Sequence, residues 1–247
     1  GGSKGYDHKG LGITARGAFV CIRRHFRELG VDIDRDPIDV IGVGDMSGDV
    51  FGNGVLLSAA LRLRAAFDHR HIFLDPNPDP AVSFQERTRM FALPRSSWAD
   101  YDKAKLSGGG GILPRNAKSV PLSAEARAML GIEAERVPPE AVMRAILSMP
   151  ADLLYFGGIG TFVKASGESH AEAGDRANDA IRIDATALRA KVVGEGANLA
   201  LTQAARVEAA RAGVRVDTDS LHNSAGVDTS DHEVNLKILL DGLVQSG

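Results

Sequence analysis

Seven residues, Gly42-Val43-Gly44-Asp45-Met46-Ser47-Gly48, form the stretch best suited to hold a phosphate. The stretch Asp39–Val43, overlapping their start, reads as a short strand, and a leucine-rich run follows. In such a unit Gly42 closes the strand and Gly44 lets the backbone approach a pyrophosphate. Gly48 permits close helix–strand packing, and amides from Asp45 to Val50 point at the anion. The spacing G-x-G-x-x-x-G is one residue longer than the common dinucleotide fingerprint, so a glycine-rich turn without a ligand is the competing reading. A second pair, Gly52 and Gly54, would need a preceding strand that is too short and too polar. These two are placed in the first helical turns, where a neighbour approaches closely. Asp45 and Asp49 are out of character beside a diphosphate: each must point away, bind a cation or cap amides.

Other stretches end in small or polar residues in the same way. "HIFLDP" finishes in Asp75 and Pro76, "YFGGIG" in Gly157, Gly158 and Ile159, and "VVGEGAN" in Asn198. Four such ends on one rim of a parallel sheet would line a crevice, where ligands of open α/β sheets bind. A carboxylate at Asp75 can accept hydrogen bonds from a ribose 2′-hydroxyl and repel a 2′-phosphate, which favours NAD over its phosphorylated form. Asn198, Asn223, Ser224, Thr229 and Ser230 add neutral amides and hydroxyls, suited to a carboxamide and a substrate carboxylate. Ordinary turn asparagines and a serine N-cap explain the same residues without a ligand.

The elements that must carry these groups follow from periodicity. Ala18, Phe19, Ile22, Phe26 and Leu29 recur at helical spacing, with Thr14 as N-cap and Gly30 as stop. A long helix is expected over 50–66 with Leu56, Leu57, Ala60, Leu61 and Leu63 on its buried side. A second strand follows at 71–76. Helices are expected within 83–93, 123–131, 138–149 and 202–213, strands within 151–158 and 190–198, a short strand within 214–219, and a last helix from Ser230 or Asp231. Residues 95–120, rich in glycine, proline and serine, read as a long excursion. The pattern predicts an α/β fold, Rossmann-like and doubly wound, with a mostly parallel sheet and helices on both faces.

Bulk properties narrow the function. With 247 residues, a net charge of −3 and both signs interspersed, the chain has no basic block to argue for nucleic acid. No apolar run approaches a membrane span. The single cysteine, Cys21, fits a reducing, intracellular and hence cytoplasmic setting. The seven histidines show no metal-ligand spacing, so no metal is expected. The polar segment 167–179 reads better as a solvated helix start or subunit contact than as catalytic. The sequence starts without methionine and stops abruptly, which reads as a piece of something longer.

Five stretches, "YDHKGLGITARGAF", "VIGVGDMSGDVFGNG", "FGGIGTFVKASGESHAEAGDRAND", "GEGANLALTQAAR" and "NSAGVDTSDHEVN", together resemble the very large bacterial NAD-specific glutamate dehydrogenases. The resemblance covers almost the whole chain and implies the cofactor-binding part of that catalytic core. It implies Thr14 near the nicotinamide carboxamide, Asn198 near the nicotinamide ribose, Asn223 at cofactor and substrate, and Ser230 at the substrate side-chain carboxylate. The glycine turn departs from the family's "GFGNVG" in length and acidity. The implied reaction is reversible oxidative deamination of L-glutamate to 2-oxoglutarate and ammonia, with hydride transfer to NAD. The family's catalytic lysine and aspartate lie upstream, and Lys4 and Lys9 do not sit in their motifs. No catalytic residue is therefore expected within this chain, which should bind NAD with little activity of its own. The implied partners are an upstream substrate domain of the same polypeptide and, when intact, further copies in a homo-oligomer. On this reading residues 1–30 join the substrate domain, 31–229 form the NAD-binding domain, and 230–247 are a truncated helix.

Overall fold

The computed structural model describes residues 7–246; the side chains of Ser230 and Ser246 lie outside the described residues. Six strands form one sheet: β1 (Ile38–Val43), β2 (Leu61–Phe67), β3 (His71–Leu74), β4 (Gly111–Pro114), β5 (Ala151–Phe156) and β6 (Ala190–Glu195). Their spatial order is β6-β5-β1-β2-β3-β4. The first four in that order are mutually parallel, while β3 and β4 join by antiparallel pairing. The main helices are α1 (Ile13–Glu28), α2 (Asp49–Gly54), α3 (Pro80–Ala92), α4 (Ala124–Leu130), α5 (Pro139–Ser148), α6 (Gln203–Arg211), α7 (Asp219–His222) and α8 (Ser224–Ser246).

Strands buried on both faces show why the fold is doubly wound. Val40, Leu63, Leu153, Tyr155 and Val192 point to one face, packing on Phe19, Ile22 and Phe26 of α1, Phe51 of α2 and Trp98. Ile41, Ala65, Phe67, Leu154, Phe156 and Val193 point to the other, against Val142, Ile146 and Leu147 of α5 and Ala205 and Ala209 of α6. The predicted α/β class, with a mostly parallel sheet flanked by helices, is the observed one.

The largest departure is at 50–66. Instead of one long helix, α2 stops at Gly54, a turn carries Leu56 and Leu57, and residues 61–67 form β2. The leucines fit a helical stripe, but Leu61-Arg62-Leu63-Arg64 also alternates with period two, and the segment pairs in parallel along β1. Arg62 and Arg64 take their place on the polar side by converging on Asp39, the second at 3.3 Å. The strand 71–74 then becomes a hairpin return, since Asp68 Oδ1 accepts the backbone N–H groups of Arg70 and His71.

Smaller corrections concern helix ends. α1 starts at Ile13 after Gly12 in a left-handed conformation, so Thr14 lies in the first turn and is not the N-cap. Gly30, with φ of 73°, marks the helix end as expected. The last helix begins at Ser224, so Asn223 sits at the joint between α7 and α8. Within 214–219 only Arg215 makes a strand-like bridge, to Val192. In the 95–120 excursion, Trp98 is fully buried against Phe73 and Phe51, and β4 covers the edge of β3.

Candidate functional site

The parallel strands β1, β5 and β6 end on one rim, and a cleft of about 580 Å³ opens there. Thr14, Asp49, Val50, Gly157, Ile159, Asn198 and Asn223 line it, so seven of the residues singled out by sequence meet in space. The Asn223 side-chain amide donates to Asn198 Oδ1 at 2.9 Å, joining two segments far apart in sequence. Gly226 makes the convergence possible: a side chain there would collide with Thr14 Oγ1 and with Asn223 Oδ1. Ile159 and Leu199, 94% and 67% exposed, form an apolar lip, and Leu199 holds a left-handed φ of 65°. A branched apolar residue in that conformation is strained, as residues at ligand sites often are.

The glycine turn works differently from the sequence reading. Gly42 lies inside β1, where a Cβ would come within 2.5 Å of the Tyr155 carbonyl oxygen and 2.7 Å of the Phe51 ring. Gly44, with φ of 142°, faces Phe51, and Gly157 abuts the backbone of the same residue. These glycines make room for Phe51 at the base of α2. Gly48 is the N-cap of α2 and has only ordinary contacts at its Cα, so it permits no special packing. Gly158 packs beside Val43 and Gly44. Gly52 and Gly54 are helical and tightly approached, by Met46 and Phe91 and by the Tyr155 ring respectively, as expected. The Met46 side chain is wholly buried in the core.

The two acids are accounted for. Asp45 Oδ1 accepts the Ser47 hydroxyl at 2.6 Å and the backbone N–H groups of Ser47 and Gly48 at 2.9 and 3.0 Å. Two amides expected to face an anion are therefore turned onto the protein's own carboxylate. Asp49 bends back along α2, where Oδ1 accepts from the Asn53 amide at 3.0 Å. Burial pushes its carboxyl up from the usual range, with the Asn53 hydrogen bond acting in opposition. Beyond these, the first-turn amides of α2 precede its first backbone bond, from Gly52 N–H to Gly48 C=O.

Asp75 is not on the rim. It ends an antiparallel strand, and its N–H bonds the Arg64 carbonyl. Phe67, three residues further along β2, marks the rim, so Asp75 lies roughly 10 Å below it at about 3.3 Å per residue. Its Oδ1 accepts the Ser107 N–H and hydroxyl, and the Pro76 carbonyl accepts from Arg64. Asp75 thus braces the excursion, Pro76 is tied to β2, and burial raises the Asp75 carboxyl. The acid that follows the second parallel strand is Asp68. It is 6% exposed, and its Oδ2 is buried with no hydrogen-bond partner among the described residues. Asp45 and His69 stand with it in one group of side chains.

A family model described as bacterial NAD-glutamate dehydrogenase, catalytic domain, matches residues 1–247. The chain belongs to this family. The NAD-specific glutamate dehydrogenase of Mycobacterium tuberculosis is 61% identical over an aligned length of 254, covering 100% of this chain and 16% of that protein. That of Pseudomonas aeruginosa is 60% identical over 247 residues, again the whole chain and 15% of the relative. The chain thus spans less than a fifth of the length of these relatives. A structure of Plasmodium falciparum glutamate dehydrogenase has a TM-score of 0.51 at 16% identity, covering 93% of this chain and 39% of that one. That likeness concerns the fold.

For this member of the bacterial NAD-glutamate dehydrogenase family, the structure adds residues that sequence reasoning missed. Trp98 donates its indole N–H to the Gly44 carbonyl at 3.0 Å, so the excursion props the glycine turn. Glu195, at the end of β6, is fully buried and paired with Arg206, whose guanidinium also bonds the Asp217 carbonyl. The segment 167–179 is structural: Ser169 and Glu172 form a capping box, and Asp175 accepts the Thr161 N–H at 2.8 Å. Ser230 lies in α8 next to Asp231, which lines the cleft; its side chain is outside the described residues. No helix among the described residues is long and apolar enough to cross a membrane.

Proposed function

We propose that this chain is the NAD-binding part of a glutamate dehydrogenase that interconverts L-glutamate with 2-oxoglutarate and ammonia. The observation that carries the reading is the convergence of Thr14, Asn198 and Asn223 on one cleft at the parallel strand ends. The residues present fit NAD. The orphaned Asp68 Oδ2 offers an acceptor for a ribose hydroxyl, and its negative charge opposes a 2′-phosphate. The start of α2 and the Gly157–Ile159 turn would face the diphosphate, with dipole and amides favouring negative charge. Thr14, Asn198 and Asn223 would hold the nicotinamide end, and Asn223 and Ser230 would meet the substrate. Bound NAD would supply the acceptor for a hydride from Cα of glutamate, and the chain's contribution is alignment of donor and acceptor.

General acid–base groups come from elsewhere in the longer polypeptide. Lys9 is committed to structure, donating to the Phe91 carbonyl at 2.7 Å and lying 4.2 Å from that residue's ring centroid. An upstream substrate domain would close over the cleft, and the intact enzyme would assemble as a homo-oligomer. Asn198→Ala in the intact enzyme should raise the KM for NAD about tenfold, the scale of one or two lost hydrogen bonds, with thermal stability nearly unchanged. Steady-state kinetics would test this, and an unaltered KM would remove Asn198 from the cofactor site.

A further inference from the structure

Directly before Asn223 stands His222, a side chain with no exposed surface. Its Nδ1 accepts the Glu195 backbone N–H at 2.9 Å. The ring's remaining nitrogen, Nε2, faces Asp217 Oδ2 at 3.7 Å, beyond hydrogen-bond reach. Cys21 and His25 approach from α1, Arg206 from α6 and Asp219 from α7 itself. Cys21, Asp217 and His222 are close enough to resemble a metal-ligand group. A ligating imidazole, however, donates its other ring N–H, whereas His222 accepts at Nδ1 and so carries its proton on Nε2. Burial lowers its pKa to about 4, with His25 and Arg206 adding to the fall and Asp217 opposing it. The ring is therefore neutral at pH 7, and its acceptor is always available.

The bond spans the two segments that build the nicotinamide end of the cleft. Glu195 ends β6 and leads through Gly196 and Ala197 to Asn198; His222 ends α7 and leads directly to Asn223. We propose that His222 is a positioning residue of this site: by accepting the Glu195 N–H, it locks the strand end that carries Asn198 against the helix joint that carries Asn223. The inference rests on the reading of the cleft as the NAD site. Loss of the acceptor leaves a buried N–H unpaired and lets the two asparagines drift, so their shared hydrogen bond and the grip on the cofactor weaken together.

The test compares His222→Asn, His222→Gln and His222→Leu in the intact enzyme. The asparagine carboxamide oxygen can occupy the place of Nδ1; the glutamine oxygen lies one carbon too far, and leucine has no acceptor. Gln and Leu should each raise the KM for NAD about tenfold or more, and the KM for L-glutamate should rise with it because Asn223 also meets the substrate. Asn should recover most of that loss. In an Asn223→Ala background the His222→Gln effect should largely vanish, because the two residues act through one another. Equal NAD KM values for Asn and Gln, or full additivity with Asn223→Ala, would overturn the proposal while Asn198→Ala still weakens NAD. If Asn198→Ala leaves NAD binding intact, the cleft reading itself fails and takes this proposal with it.

Discussion

Replacing Arg206 with methionine is expected to destabilise the protein by about 3–5 kcal/mol, the range for breaking one side of a buried ion pair. Glu195 has no exposed surface, and Arg206 is 5% exposed. The guanidinium meets both carboxylate oxygens of Glu195 and also the Asp217 and Leu201 carbonyls. Glu195 Oε1 further accepts the backbone N–H groups of Ala200 and Leu201, so the pair ties the loop after β6 to α6. Burial already raises the Glu195 carboxyl, and Arg206 is the main opposing influence. Without it the carboxylate would be desolvated and uncompensated, and would rise further. Urea unfolding should therefore show a large drop for Arg206→Met. Glu195→Gln combined with Arg206→Met should recover part of it, since no bare charge remains buried. A loss below about 1 kcal/mol for the single variant would show that the pair contributes little.

The second large effect concerns cofactor choice. Asp68→Asn keeps an oxygen for the Arg70 and His71 amides but removes the negative charge at the end of β2. The affinity for NAD should fall by roughly 10–100-fold, the scale of a lost charge-assisted hydrogen bond, and discrimination against NADP should relax by a similar factor. Asp75→Asn should leave the ratio of the two cofactors within about twofold, because Asp75 ends an antiparallel strand below the rim and its Oδ1 is held by Ser107. Measured kcat/KM ratios for NAD and NADP in the two variants decide between the residues. A shift with Asp75 and none with Asp68 would reverse the assignment.

That contrast also shows where the sequence was legible. Strands ending at Val43, Phe156 and Glu195 were readable because each is a short apolar run closed by glycine or a polar residue. The doubly wound architecture follows from their alternation with helices. The stretch "VLLSAALRLRAAF" was ambiguous, since leucines at 56, 57, 61 and 63 satisfy a helical stripe and a strand alternation together. Only pairing with β1 resolves it, and that is a tertiary contact no local window contains. The one missed strand, residues 61–67, moves the proposed ribose acid from Asp75 to Asp68. Asp45 and Asp49 looked unfavourable beside a diphosphate because a sequence does not show side-chain direction. In the fold the first caps its own turn and the second bends to Asn53. The roles of Trp98, Arg206 and His222 had no local signal at all, as each depends on a partner distant in the chain.

In the proposed binding mode NAD lies along the rim of β1, β2, β5 and β6, in contact with the start of α2 and the loops after β5 and β6. Amide hydrogen exchange of the intact enzyme with and without saturating NAD tests it most directly. Protection is expected in segments 45–50, 157–159 and 196–198, with none at 75–77. Protection at 75–77 with an unchanged rim, or no change anywhere at millimolar NAD, would contradict it.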